Sequence, residues 1–442
     1  MPKRKRQKSV KELVQIELPT PSFQTSNDVY ETLFESFTLS LNPPQHWLKE
    51  IPSFCANYNG EGNMTTIVNT RDRIQELNQI KSNLMPYSQI VSEAKLKRSI
   101  HTTPENEFRR ASRSKRVNPF ESLLGSIEFK KGEPLICRSA LKLCNMDALT
   151  NFKLTQDKEC GIFVDLAGSP GGFSQYLIYR GLKRGYGMSL KGNSTDSVGL
   201  EWKTDGILTK EQFLIHNGSD GTGDIYNWDN IIALRDTIQK DMSIKKDERI
   251  ALVVADGGID AQRNHEDQEG ISSKLIISEI AAAVLLLSLN KADHKEASFV
   301  LKLFGFQSTA IRRALFFLTS VFDTIQIMKP ITSRPASCER YLLAIGFKGL
   351  EKGMNLADWR EEIINGSNFF DYEEKTAFQS FANFLDKVDN DMACLNVRAC
   401  HGIVETLRRE EIQIKERTGQ KKNRHGFSDT LNVDYMKTAW EL

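Results

Sequence analysis

Cysteine is scarce in this sequence: there are seven in 442 residues, an odd number, and no two are spaced as CxxC. A disulfide framework is thereby excluded as the main source of stability, and a reducing, intracellular setting is expected. Long apolar runs are missing as well. The nearest candidate, IAAAVLLLSL from Ile280 to Leu289, falls well short of the roughly 20 residues a membrane span requires and reads instead as a buried helix. The opening residues show no basic n-region leading into an apolar h-region, so no secretory leader is expected. No segment repeats. Bulk charge of one sign is absent too, since 59 Lys and Arg against 57 Asp and Glu leave a net +2. Whole-molecule electrostatics therefore do not single out a nucleic acid as partner. Cys394, Cys400 and His401 cluster without the paired ligand spacing of a zinc site. No Ser-His-Asp arrangement stands out, and neither a metal nor a nucleophilic triad is expected.

What is present is a hydrophobic share of 40 % and a charged share of 26 %, enough for a sizeable core. The length suits two or three domains, or one domain with extensions. Charge is concentrated locally. MPKRKRQK at the start is a compact basic run suited to nuclear import or to touching nucleic acid, though a solvated tail would read the same. FRRASRSKR, from Phe108 to Arg116, holds no acidic residue and leads into Asn118, Pro119 and Phe120. Such loops contact phosphates; a plain exposed face has the same composition.

Four parts are expected: a basic, unstructured tail over 1–25; a helical and irregular extension over 26–125 that holds the basic segment; an α/β domain over 126–350; and a helical extension over 351–442. In the third part, strand-like runs (IFVDLAG, GYGMSL, IALVVADGG, SFVLKLFG, FDTIQIMKP, RYLLAIGF) alternate with helical ones such as SKLIISEIAAAVLLLSL. That alternation implies a mostly parallel sheet with helices on both faces. Its first strand runs into FVDLAGSPGGFSQYL, where Pro170, Gly171 and Gly172 follow Asp165 and a helix then opens. In a doubly wound sheet, ligands bind beyond the carboxyl ends of the strands, where glycine lets them approach the main chain. A tight turn with no ligand is the plainer reading. The loop is not G-x-G-x-x-G, and the next strand closes on Ser189 and Lys191 instead of the acid that holds a dinucleotide ribose, so a dehydrogenase is disfavoured.

Several ordered pieces around this loop resemble the FtsJ-like (RrmJ-type) ribose 2'-O-methyltransferases, most closely their eukaryotic branch acting on mRNA caps. NPFE (Asn118 to Glu121) and ALKLCNMD (Ala140 to Asp147) resemble the family's entry segment. DLAGSPGGFSQY is similar to its S-adenosylmethionine loop, GYGMSLKG to its second strand, DGTGDI (Asp220 to Ile225) to its acidic cofactor loop and VVADGG to its fourth strand. LKLF and KPITSRPASCERY resemble its last strands, and TSRPxxxERY is the most specific piece. The likeness covers roughly residues 108 to 350. It implies a class I, Rossmann-like methyltransferase fold: a seven-stranded, mostly parallel sheet with helices on both faces, flanked by helical N- and C-terminal extensions.

The resemblance also implies a Lys-Asp-Lys-Glu tetrad at Lys142, Asp256, Lys302 and Glu339. Ribose methylation is an in-line displacement in which the 2'-hydroxyl attacks a sulfonium methyl and sheds a proton. The protein must hold the two groups in line and deal with that proton. Lys302 is expected nearest the 2'-oxygen. As a general base it would need a pKa well below the ordinary value near 10.4, through burial or through Lys142; Asp256 and Glu339 would act the other way and leave an orienting cation. For S-adenosylmethionine, the resemblance implies the backbone of Ala167, Gly168, Pro170, Gly171 and Gly172, with Asp165 and Asp256 near the methyl end and Asp224 near the adenosine. Without these glycines a side chain is expected to fill the site. For the RNA it points to Arg113, Arg116, Arg138, Arg334 and Ser337. Three departures from the family pattern stand out: an insertion around KKGEP, Cys137 in place of an asparagine near the cofactor, and a different cap-contacting loop in GGIDAQRNHEDQ.

The implied activity is S-adenosylmethionine-dependent 2'-O-methylation of the first transcribed nucleotide of m7G-capped mRNA. The capped 5' end is then the substrate, RNA polymerase II or other capping enzymes are candidate partners, and the nucleus is the setting. The second cap nucleotide, or rRNA or tRNA, is the alternative acceptor. An RNA-binding scaffold without catalysis is the alternative from another class, disfavoured by the intact tetrad.

Overall fold

The computed structural model describes residues 54–58, 89, 91–93, 95, 102–113 and 128–416, the last stretch without 131, 192–200, 205–207, 210, 246, 259–267, 292–296, 331 and 367–371. MPKRKRQK, NPFE, Arg116 and most of GGIDAQRNHEDQ lie outside the described residues.

The strands are β1 (Phe54–Tyr58), β2 (Glu128–Lys130), β3 (Glu133–Pro134), β4 (Gly161–Leu166), β5 (Arg184–Met188), β6 (Phe213–Ile215), β7 (Arg249–Ala255), β8 (Ser298–Leu303), β9 (Phe322–Lys329) and β10 (Arg340–Phe347). The helices are α1 (Pro104–Ser112), α2 (Ser139–Leu149), α3 (Gly172–Tyr179), α4 (Trp228–Ile244) and α5 (Gln268–Leu287). They are followed by α6 (Thr309–Val321), α7 (Leu356–Ile364) and α8 (Tyr372–Glu416).

One sheet runs in the order β1-β9-β10-β8-β7-β4-β5-β6. From β8 to β6 every neighbouring pair is parallel, while β10 is antiparallel to both β8 and β9. The seven strands from β4 to β10 fulfil the expected sheet. An eighth comes from the N-terminal extension, read from sequence as helical and irregular: β1 pairs antiparallel with β9 at the edge. KKGEP, the inserted stretch, falls in the β2–β3 hairpin.

The apolar runs are continuous because both faces of the sheet are covered. Ile162, Val164, Leu166, Val253, Phe299, Leu301, Leu303 and Leu342 pack on one side with α4, α5 and α6. The residues between them, Phe163, Leu252, Val254, Val300, Tyr341 and Leu343, pack on the other with α2 and α3. From β4 the chain steps outward through β5 and β6, then returns to β7 on the opposite side of β4. A crevice at the carboxyl ends of β4 and β7 is the consequence of that reversal.

The C-terminal extension is dominated by α8, a single helix of 45 residues. Phe381, Leu385, Val388, Met392 and Leu395 follow helical spacing and join the main core. Val397, Cys400, Ile403 and Leu407 continue the stripe into a smaller cluster with Val91 and Ala111. There α1 is clamped to α8 through Arg110, whose guanidinium meets both carboxylate oxygens of Glu410. No helix among the described residues is long and apolar enough to cross a membrane.

Candidate active site

Strand register brings the proposed catalytic side chains to one face. Lys302 of β8 stands opposite Tyr341 of β10, and one residue earlier Leu301 is level with Ala255 of β7. Alternate residues of a strand share a face, so Glu339, two before Tyr341, lies on the side of Lys302, and Asp256 follows Ala255 directly. Lys142 arrives from α2, which packs on that same face beside Leu141 and Leu143.

Two ion pairs result. Lys302 Nζ lies 3.1 Å from Asp256 Oδ1 and donates to the Asp256 carbonyl oxygen at 2.6 Å. Lys142 Nζ lies 2.7 Å from Glu339 Oε1 and donates to Oε2 at 2.8 Å. The Tyr341 hydroxyl joins them, donating to Asp256 Oδ1 at 2.8 Å and accepting from Lys142 Nζ at 3.3 Å. All four tetrad positions are therefore in one connected network, with a tyrosine at its centre that sequence reasoning left out although it ends the ERY motif.

The surrounding charges bear on the two roles left open for Lys302. Burial works against its charge, but Asp256 and then Glu339 more than offset this, and its pKa stands above the ordinary lysine value. In this state Lys302 is an ammonium that can point a donor at an oxygen. Glu339 is also penalised by burial, yet Lys142, Lys302 and Lys329 together hold its carboxyl well below the usual range. Burial and the neighbouring Asp256 and Glu339 charges push the Tyr341 phenol far up, so it stays a donor. A third lysine, Lys329, is buried behind Glu339 and donates to Ser333 Oγ, Ser337 O and Glu339 O at 3.1, 2.6 and 2.8 Å. Burial pushes it down to about 7.

The loop after β4 is fixed to the end of β5. Ala167 N–H donates to Met188 O at 2.7 Å, and the Ser169 and Ser189 hydroxyls are 2.8 Å apart. Asp165 is fully buried; its Oδ2 accepts from Ser174 Oγ at 2.6 Å, and its Oδ1 has no hydrogen-bond partner among the described residues. Burial, with the Asp256 charge adding to it, lifts its carboxyl to about 7. Protein atoms alone already require glycine at these positions. A Cβ on Gly168 would come within 1.8 Å of Asp165 Oδ1, and one on Gly172 within 2.2 Å of Ser139 Oγ and 2.5 Å of Cys137 Sγ. Gly171 takes φ +105°, with Leu208 in the way of a Cβ. Each added side chain would collide with the protein itself.

Across the crevice, Lys191 N–H donates to Thr222 O at 2.7 Å, which ties the end of β5 to the DGTGDI loop. Asp224 Oδ1 accepts from Tyr226 N–H at 2.9 Å. Leu190, 50 % exposed, sits beside this loop. Asp220 is occupied with the turn itself, accepting from Thr222 and Asn227.

Of the five proposed RNA contacts, Arg113 is exposed at the end of α1, and Arg138 caps the start of α2, one turn before Lys142. Arg334 and Ser337 lie in the segment leading to Glu339, and Ser337 Oγ accepts from Glu339 N–H at 3.2 Å. Sequence reasoning also missed Glu279. This α5 carboxyl is fully buried, lies against Gly257, meets no partner at hydrogen-bonding distance and angle among the described residues, and is pushed up to about 8 by burial despite the opposing Lys302 charge. It reads in sequence as one more polar residue of a helix that turns apolar after it, with nothing to tie it to the strand ends. No group of three potential metal ligands occurs among the described residues.

The model of the FtsJ-like methyltransferase family matches residues 135–347, the span from the β2–β3 hairpin to the end of β10. A Trypanosoma brucei brucei protein named cap-specific mRNA (nucleoside-2'-O-)-methyltransferase 1 is 37 % identical over 270 residues, covering 57 % of this chain and 66 % of that protein. Its Trypanosoma cruzi namesake is 38 % identical over 194 residues, 42 % of this chain and 48 % of that one. The human protein of the same name is 28 % identical over 266 residues, 57 % of this chain and 30 % of its own length. The chain thus spans less than two thirds of each of these relatives. Residues 135–347 form an FtsJ-like methyltransferase domain.

Proposed function

We propose that this chain methylates the ribose 2'-oxygen of the first transcribed nucleotide of m7G-capped mRNA, using S-adenosylmethionine. The observation that carries the reading is the network in which Tyr341 joins the Lys302–Asp256 pair to the Lys142–Glu339 pair. The names of the relatives direct it toward the cap.

The crevice suits the cofactor. Main-chain groups of the 166–172 loop, a half-buried acid at Asp256 and a second acid at Asp224 beside the exposed Leu190 match a zwitterionic amino acid at one end and a flat base with hydroxyls at the other. When bound, S-adenosylmethionine supplies an electrophilic methyl on a sulfonium. The protein's share is placement. The Lys302 ammonium holds the 2'-oxygen, Asp256 and Tyr341 hold Lys302 in direction, and the Lys142–Glu339 pair stiffens the far side. Positioning of this kind supplies much of the rate of a displacement. With Asp256 and Glu339 favouring its charged form, Lys302 acts as an orienting donor, and the 2'-hydroxyl proton is released to water as the oxygen takes the methyl.

Arg113, Arg116, Arg138, Arg334 and Ser337 are the proposed contacts to the triphosphate and the chain beyond it, and MPKRKRQK is the proposed nuclear import signal. Capping enzymes or RNA polymerase II are the proposed partners. Incorporation of labelled methyl into capped and uncapped RNA, followed by nuclease mapping, tests the reading. Label on the first nucleotide of capped RNA is expected; label confined to the second nucleotide, or equal label on uncapped RNA, would overturn the assignment.

A further inference from the structure

Two of the segments that carry the tetrad are held from outside the methyltransferase domain by one helix. Asp389 of α8, 4 % exposed, accepts from Gln307 Nε2 at 2.6 Å and from Phe306 N–H at 3.2 Å, and pairs through Oδ1 with Arg340. Phe306 and Gln307 follow Lys302 at the end of β8; Arg340 adjoins Glu339. Arg340 also donates to Cys338 O at 3.1 Å and Phe304 O at 3.3 Å, with its guanidinium 4.8 Å from the Phe306 ring centre. Two turns along α8, Asn396, 1 % exposed, donates from Nδ2 to Pro335 O at 2.5 Å and Ser337 O at 2.9 Å. Ser337 in turn receives Glu339 N–H on its hydroxyl and Lys329 Nζ on its carbonyl.

Resting on the function proposed above, we propose that α8 is a working part of the catalytic centre, and that Asp389 and Asn396 are positioning residues for Lys302 and Glu339. Neither touches the reacting atoms. Asp389 fixes the spacing between the segments after Lys302 and around Glu339; Asn396 fixes the turn that aims Glu339 at Lys142. A plain stabilising role fits Asp389 poorly, because a buried ion pair adds little net stability over apolar side chains of the same volume. What such a pair does impose is one geometry. Asn396 likewise offers its donor only to the two carbonyls of the TSRPASC turn, where an apolar residue would leave that turn free to shift.

The test uses the full chain. Asn396→Ala, Asn396→Asp and Asp389→Asn are compared with wild type in single-turnover methyl transfer to m7GpppA-RNA, with rates normalised to the stoichiometry of S-adenosylmethionine binding from calorimetry. Normalisation removes any unfolded fraction. The expected result is a normalised kcat at least tenfold lower, with the cofactor Kd within twofold of wild type. Asn396→Asp should be the worst of the Asn396 variants, since it sets an acceptor against two carbonyl oxygens. If Asp389→Asn fails to fold, Asn396→Ala carries the test. Normalised rates within twofold of wild type in folded variants, or losses fully explained by binding stoichiometry, would overturn the inference. An inactive wild type would instead refute the proposed function.

Discussion

Gly172→Ala is a small change with a consequence that can be worked from the structure. The added Cβ would lie 2.2 Å from Ser139 Oγ, 2.5 Å from Cys137 Sγ and 3.0 Å from Ala140 N. Ordinary carbon contacts begin near 3.5 Å, so the neighbours must retreat by about 1 Å. The hydroxyl and thiol can turn aside only in part, because they face each other at 2.9 Å. The backbone at Ala140 moves only with α2. Overpacking of this kind costs about 1–3 kcal/mol. The more telling effect is remote: α2 carries Lys142, whose grip on Glu339 spans 2.7 and 2.8 Å. A displacement of about 1 Å in a catalytic group can reduce a rate by about 10²-fold. Single-turnover methyl transfer should therefore fall by one to two orders of magnitude, with a denaturation midpoint consistent with the stated cost. Adding Ser139→Gly and Cys137→Ala should restore part of both. A Gly172→Ala protein with wild-type rate and stability would show that this packing does not place Lys142.

Lys302→Ala should abolish methyl transfer while leaving S-adenosylmethionine affinity nearly unchanged, as read by calorimetry beside a turnover assay; residual turnover near wild type would remove Lys302 from the centre. Tyr341→Phe removes a hydrogen bond to a charged group, worth about 1.5–3 kcal/mol, and should slow transfer by about tenfold or more without changing cofactor affinity. Glu279 is pushed up to about 8 from an ordinary 4.5. Between those values the folded chain holds a proton that the unfolded chain has lost, so this group's contribution to stability declines as pH rises through the window. Glu279→Gln should flatten the fall of stability between pH 5 and pH 8 by at most about 1.4 kcal/mol per pH unit, and denaturation curves unaltered in slope would contradict its burial as a neutral acid. Converting Arg113 and Arg116 to alanine should weaken capped and uncapped RNA alike and reduce the salt dependence of binding; loss of cap preference at an unchanged salt slope would place the cap pocket there.

The strands were legible because both faces of the sheet are buried: runs such as IFVDL and SFVLKL have nowhere else to go. The four proposed catalytic residues are legible because each lies inside a specific motif, Glu339 in TSRPxxxERY above all, with Asp256, Lys302 and Glu339 at strand ends and Lys142 on α2. The pattern of the glycine loop is legible in sequence, while the packing that also requires glycine there is not. Gly168 and Gly172 are set by Asp165, Ser139 and Cys137, contacts that join parts of the chain far apart in sequence. Three features carried no local signal. Edge strand β1 is five residues whose identity as a strand depends on β9. Glu279 is an acid in the apolar stretch of α5 whose meaning comes from Gly257 and Lys302 across the fold. Asp389 and Asn396 sit on a helix that reads as an ordinary amphipathic extension, and only tertiary packing brings them behind Glu339 and Lys302.

The Lys302 network is proposed to direct a methyl group to one particular oxygen. The most direct measurement compares m7GpppA-RNA with the same RNA carrying a 2'-deoxy first nucleotide, scoring labelled methyl transferred by wild type and by Lys302→Ala. Transfer to the ribose substrate by wild type alone is expected, with none to the deoxy substrate by either protein. Equal labelling of the deoxy RNA, or undiminished transfer by Lys302→Ala, would contradict it.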